Sequence, residues 1–349
     1  MYLTTLITRR IRVGLQASPR TLGTLGVRLS IPIVPLVEAR RTRLLRPSIA
    51  LASSTLSFAL PSNAFGQAAK ATHPSGEPAP VYLVVRSDDA GMSHSVNMAL
   101  EKLIESGIPV SVSVMFPTPW YQETVDMLKR HPQTSVGIHL TLNSEWKNYR
   151  WGPVLGRTAV PTLVDKDGYF FPSAEDLHQN HPDIGEVEKE LRAQIQRALG
   201  SGLKIDYVDY HMGTAVRYPE FRDLTERLAR EYGLGMSRYF GDTSNDPQYS
   251  AAPPAKTDSL VAMLDRLHPG INLVVTHVGI DNAELGALVD MNTSGPLPEM
   301  SKNRQGELDA LTSTRFRDAL KAHNVRLITY RQLIEMQGLK SMHRPEDNN

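Results

Sequence analysis

The chain has 349 residues, 41% hydrophobic and 21% charged, with a formal net charge of +1; this is an ordinary composition for a globular protein with a sizeable core. It contains no cysteine, which excludes a disulfide framework and any thiolate metal site. Residues 1–70 hold nine Arg and one Lys against Glu38 alone, leaving 28 basic and 36 acidic residues, a net of −8, in the remainder; that acidic balance argues against a nucleic-acid partner.

The first 70 residues do not read as part of a fold. The basic run Arg40-Arg41-Thr42-Arg43-Leu44-Leu45-Arg46 precedes an apolar stretch, Pro47 to Leu60, and then small residues around Ala64-Phe65-Gly66-Gln67-Ala68. That is the layout of a secretory signal and implies export, periplasmic or extracellular. An Arg-rich, acid-poor transit peptide is the competing reading. The apolar stretch is too short for a stable membrane span.

Residues 71–80 read as a linker. From Val81 onward, strand-like runs at 81–86, 109–116, 135–142, 205–211, 234–239, 271–277 and 325–329 alternate with helical patterns. Asp183 and Glu186 resemble a capping box, followed by an apolar face of Val187, Leu191, Ile195 and Leu199. Pro219 suits a first helical position, Phe221, Leu224, Leu228 and Tyr232 share a face, and Gly233 suits the stop. Arg304 to Ala322 reads as one further helix. Seven short strands alternating with helices predict an α/β fold, a single (β/α) barrel-like domain of about seven parallel strands over residues 81–349.

Asn143 to Pro182 breaks the rhythm. Loops this long are functional or disordered, and the aromatics Trp146, Tyr149, Trp151, Tyr169, Phe170 and Phe171 argue against disorder. Asp167-Gly168 suits the turn of a small hairpin. Trp146, Tyr149 and Trp151 fit a sugar-binding lid, since pyranose faces stack on aromatic rings, or they pack the loop onto the barrel.

Polar residues collect at the C-terminal ends of the predicted strands, where active sites of parallel barrels lie. Asp88 and Asp89 end the first strand, and His139, His211 and His277 end or flank later ones. Two adjacent carboxylates at a buried strand end would repel each other, and adjacent strand residues point to opposite faces. Both can serve one site only if the backbone turns there, which Ala90-Gly91 permits. One carboxylate and two imidazoles are a three-ligand set for a catalytic divalent metal. The second carboxylate can then act as general base, and a further His can protonate a leaving group. Asp209, on the same strand face as His211, is placed to orient an imidazole from behind. The set describes metal-assisted hydrolysis of an amide or ester.

Ser87-Asp88-Asp89-Ala90-Gly91-Met92-Ser93, Gly137-Ile138-His139-Leu140-Thr141-Leu142, Asp209-Tyr210-His211 and Thr276-His277-Val278-Gly279 stand in the order seen in the YdjC/ChbG-like carbohydrate deacetylases, which the chain resembles from about Val81 onward. The resemblance implies a barrel-like fold and removal of acetyl groups from N-acetylated sugars with one divalent metal; the ligand set fits zinc or magnesium foremost, and also accepts manganese, nickel, cobalt or iron. It further implies that Asp88 is the general base, that Asp89, His139 and His211 bind the metal, and that His277 helps protonate the leaving amine or stabilises the tetrahedral intermediate. The implied partner is an acetylated sugar. Gly213 and Val278 depart from residues common in that family and mark a divergent branch. The alternatives are a barrel that binds carbohydrate or metal without hydrolysis, and a metal-dependent esterase.

Overall fold

The structure is a computed structural model that describes residues 79–292 and 299–346. The signal expected over 1–70, and all but the last two residues of the expected linker, lie outside the described residues. Among the described residues, no helix is long and apolar enough to cross a membrane.

Among the described residues, eight strands pair in parallel: β1 (Val81–Ala90), β2 (Ser111–Val114), β3 (Ser135–Leu140), β4 (Ile205–Tyr210), β5 (Gly235–Met236), β6 (Thr243–Ser244), β7 (Gly270–Thr276) and β8 (Val325–Ile328). The path runs β5-β4-β3-β2-β1-β7-β6, with β5 and β6 as its unpaired ends. β1 is central. It pairs with β7 from Val81 to Ser87, while its other edge is shared between β8 (Val81 to Val84) and β2 (Arg86 to Ala90). The expected α/β architecture is present as an incompletely closed barrel. β6 was not expected, and the six-residue run at 234–239 pairs over only two residues before Arg238 enters the left-handed region at φ 71°.

The strand sequences dictate two cores, because alternate residues face opposite sides. Leu83 and Val85, Val112 and Val114, Val136 and Ile138, and Val208 face the helices and join the large outer core. The intervening positions face inward. There Val84, Tyr207, Leu273 and Ile328, joined by Tyr330 at the start of the helix Tyr330–Gln337, form a smaller inner core. Toward the C-terminal ends of the strands the inward set turns polar: Arg86, Asp88, Ser113, His139 and Asp209, all buried. Buried polar groups need partners. Here the Ser113 hydroxyl donates to Asp209 (2.8 Å) and lies 2.9 Å from the Tyr207 hydroxyl.

Gly137 shows how tightly the interior is filled. A Cβ there would lie 2.3 Å from the Tyr207 ring, and that ring is itself held against Tyr330, 4.4 Å between centroids. Gly137→Ala should therefore destabilise the fold by about 1–3 kcal/mol through overpacking. Urea denaturation measures this directly, and an unchanged midpoint would show that the interior has slack.

The helices follow their sequence signals with three corrections. The Asp183 carboxylate accepts from the Glu186 N–H at 3.0 Å, but Glu186 turns away to Thr162, so only half of a capping box forms. Leu199 is exposed and Ala198 completes the buried face of the helix Ile184–Gly200. The helix expected from Arg304 to Ala322 is two, Met300–Thr312 and Thr314–Ala322. Ser313 is extended and its hydroxyl accepts from the Phe316 N–H (3.1 Å); this N-cap competes with helix continuation. Pro219 begins its helix and Gly233 follows its end as expected. Gly168 turns at φ 90° beside an antiparallel Val164–Phe170 bridge.

Candidate metal centre and active-site cleft

The two adjacent aspartates reach one site because the backbone turns at Asp89 itself. Its φ is 65°, and the β1–β2 register shifts between Ser87 and Ala90. A left-handed aspartate in a strand bulge is uncommon and re-aims the side chain. Asp88 continues the inward face of Arg86, two residues before it. Asp89 leaves the alternation and points at two histidines, His139 on β3 and His211 just after β4.

Those histidines close a triangle. Asp89 Oδ1 lies 3.5 Å from His139 Nε2 and 3.3 Å from His211 Nδ1, and the two nitrogens are 3.3 Å apart. Each imidazole is held from behind by a carboxylate. Asp209 Oδ1 is 3.0 Å from His139 Nδ1, and Glu145 Oε2 is 2.9 Å from His211 Nε2. Ionised carboxylates only accept, so these contacts place protons on His139 Nδ1 and His211 Nε2. The other two nitrogens then turn toward Asp89. Asp89 Oδ1 is buried without a hydrogen-bond partner. Its second oxygen accepts from Arg304 at 2.6 Å.

Three acceptors facing one point fit a cation. Atoms at these separations share a point roughly 2 Å from each, the bond length of zinc to nitrogen and oxygen ligands. The site therefore fits the metal that the three-ligand pattern implies. Burial alone would lower the basicity of His139, but Asp209 and Asp88 outweigh it and hold its pKa at about 10. At His211 burial likewise opposes the charge, and Glu145 and Asp89 carry the pKa up to about 9. A cation entering here must displace protons.

Asp88 lies alongside, in a bidentate contact with Arg86: Nε to Oδ1 at 2.8 Å and Nη2 to Oδ2 at 2.7 Å. Burial raises the Asp88 pKa, but the Arg86 charge overcomes it, with His139 and His277 adding, and the net value is about 2. Arg86 also contacts Asp209 (3.0 Å) and donates to Ser237 (2.6 Å). One buried cation thus joins the carboxylate beside the triangle to the carboxylate behind His139. His277 follows β7. Its N–H donates to Glu307 at 2.7 Å, and its Nδ1 is buried without a hydrogen-bond partner.

A cleft with two lobes, about 370 and 300 Å³, opens over these groups; Asp88, Met212, Tyr249 and His277 line both. The smaller lobe holds Asp89, His139, His211, Glu145, Trp146 and Arg304. The larger reaches Arg86, Tyr210 and Arg238.

The structure brings Asp88, Asp89, His139, His211 and His277 into one cleft, with Asp209 behind His139. Of the two readings of the aromatic loop residues, a stacking lid or packing of the loop onto the barrel, the geometry favours packing. Trp146 lines the smaller lobe but is only 2% exposed. Trp151 is buried edge-on to His211, its indole donating to the Asn143 carbonyl (2.9 Å). Tyr149 donates to the Met92 carbonyl. Neither of the last two lines the cleft. Arg150 is used within the loop, paired with Asp165 at 2.6 Å. Sequence reading missed Arg86, Glu145, Arg304, Glu307 and Tyr249. Arg86 carried a signal, an arginine in an apolar strand sharing the face of Asp88.

The sequence pattern of the YdjC-like protein family matches residues 82–322. A carbohydrate deacetylase of Brevibacillus brevis is 26% identical over 267 residues, covering 72% of this chain and 99% of that protein. A carbohydrate deacetylase of Listeria welshimeri is 27% identical over 263 residues, with 72% and 99% covered. A crystal structure from Enterococcus faecalis V583, described as a cellobiose-phosphate cleavage protein, matches the fold with a TM-score of 0.62 at 22% identity. That match covers 73% of this chain and 99% of the other.

Proposed function

The chain belongs to the YdjC-like family, and from that membership we propose that it is a metal-dependent deacetylase of N-acetylated carbohydrates. The observation that carries the reading is the triangle of Asp89, His139 and His211 with Asp88 and His277 in the same cleft. Relatives named carbohydrate deacetylases, matched over almost their whole length, support the substrate class.

Asp89, His139 and His211 would hold the ion. Two imidazoles and one carboxylate suit zinc better than magnesium, which favours oxygen ligands. When bound, the ion would supply Lewis acidity, lowering the pKa of water and polarising the acetamide carbonyl. Arg86 keeps the Asp88 carboxylate ionised, so it is available to accept a proton. Asp88 takes the proton as the water oxygen bonds to the carbonyl carbon. His277 gives a proton to the amine nitrogen as the C–N bond breaks. Acetate and a free amino sugar result. Arg304, paired with the outer oxygen of Asp89, fixes the direction in which that carboxylate points.

Glu145 fixes the His211 tautomer, so Glu145→Gln should weaken zinc binding about 10–100-fold, read by competition with a chelating dye. Unchanged affinity would remove Glu145 from the centre. The reaction class is tested by comparing acetate release from N-acetylglucosamine oligomers and from O-acetylated sugars. Release from the amide is expected; release from esters alone would overturn the reading in favour of an esterase.

A further inference from the structure

We propose that Tyr249 is the platform on which the sugar ring of the substrate stacks, clamped beside His277 by the buried Lys256. The nature of the ligand rests on the deacetylase reading above; the platform itself rests on separate geometry.

Among the described residues, Tyr249 is the most exposed of the large apolar side chains, at 60%. It lines both lobes of the cleft. Its ring centre lies 5.6 Å from that of His277, at 64°. An acetamide brought to His277 therefore carries its sugar past this ring. Trp146 and Trp151, at 2% and 3% exposed, present little ring surface to a ligand.

An exposed ring is a useful platform only if its backbone is fixed, because ordering a mobile side chain on binding costs affinity. The segment before Tyr249 is stitched to β7, the strand that leads into His277. The Asn245 N–H donates to the Leu273 carbonyl (2.9 Å), Asp246 accepts from the Val275 N–H (2.7 Å), and Gln248 donates to the Val275 carbonyl (2.7 Å). Lys256 then closes the unit from within. It is fully buried, and its Nζ donates to the Gln248 carbonyl at 2.6 Å and the Tyr249 carbonyl at 3.4 Å. The same ammonium lies 3.5 Å from Glu307 Oε1, and Oε2 of that carboxylate accepts the His277 N–H. A fully buried lysine is tolerated only when paired and hydrogen-bonded, and this one spends its contacts on holding Tyr249 and His277 in one frame. Gly306 leaves the space: a Cβ there would lie 3.0 Å from Lys256 Cδ.

The test uses full-length protein with Tyr249→Ala and Tyr249→Phe, assayed for acetate release from the N-acetylglucosamine trimer. Tyr249→Ala should raise KM by roughly tenfold, the scale of one lost aromatic contact, with kcat within about twofold and Tyr249→Phe near wild type. An unchanged KM in Tyr249→Ala, with wild-type protein active, would overturn the platform and leave the deacetylase reading intact. If wild-type protein releases no acetate, the deacetylase reading fails on its own. Calorimetric titration with the N-acetylglucosamine trimer then decides: affinity lower by roughly tenfold in Tyr249→Ala supports the platform. Equal affinity in both proteins, or no binding to wild type, overturns it.

Discussion

Replacing Asp88 by asparagine should cut kcat by about a thousandfold, within the 10²–10⁴ range expected for loss of a general base, while zinc stays bound. The amide keeps the shape of the side chain but cannot accept the proton of the attacking water. Asp88 is not one of the three atoms that face each other across the triangle. Arg86 keeps Asp209 as a partner after the change, so the fold should persist. The paired measurement is steady-state acetate release and zinc content of the purified variant. Loss of zinc with loss of turnover would mean that Asp88 is a ligand, and would exchange the roles of the two adjacent acids.

Replacing Arg86 by methionine should have the largest effect on stability, about 3–5 kcal/mol, the cost of leaving buried charges uncompensated. Methionine fills much of the same volume, but Asp88 and Asp209 would both lose their shared cation. Thermal unfolding should show a Tm lower by roughly 5–15 °C. Lysine at this position should recover only part, since a point charge does not reproduce the two-pronged contact. The pH dependence carries a sign. The folded pKa of Asp88, about 2, lies below its ordinary value of 3.8, so its contribution to stability is fully present above 3.8 and is lost as pH falls through 2. The stability gap between wild type and Arg86→Met should therefore narrow in that acid window. A constant gap down to pH 2 would mean that the Arg86–Asp88 pair contributes no net stability.

The sequence carried the fold and the centre of the site unequally. Strand positions were legible because Leu83, Val85, Val112, Val136 and Ile138 recur at alternate positions on the helix-facing side. Their inward counterparts, Ser113, Gly137 and His139, were legible in principle as the other half of that alternation. What they do depends on Tyr207 and Tyr330, which meet inside the barrel only after folding. The turn that unites Asp88 and Asp89 was expected just beyond them. It falls on Asp89, because a polar side chain with a partner at Arg304 can hold a left-handed conformation that a bulkier residue would resist. Glu145 and Arg304 reach the centre from a loop and a helix, and no local pattern marks them. The aromatic loop was correctly read as ordered, but ring composition does not distinguish a packed ring from a presented one. Tyr249 lies among Asp, Pro, Gln and Ser, without periodicity, and only its exposure in the cleft singles it out.

The central claim is that a cation held by Asp89, His139 and His211 sustains deacetylation. It is tested most directly by stripping the protein with a chelator and following acetate release from N-acetylglucosamine oligomers as zinc, magnesium or another divalent ion is restored. The expected result is no release from stripped protein and recovery at one equivalent of the preferred ion, absent from Asp89→Asn. Equal release before and after stripping, from protein shown to be metal-free, would contradict the account.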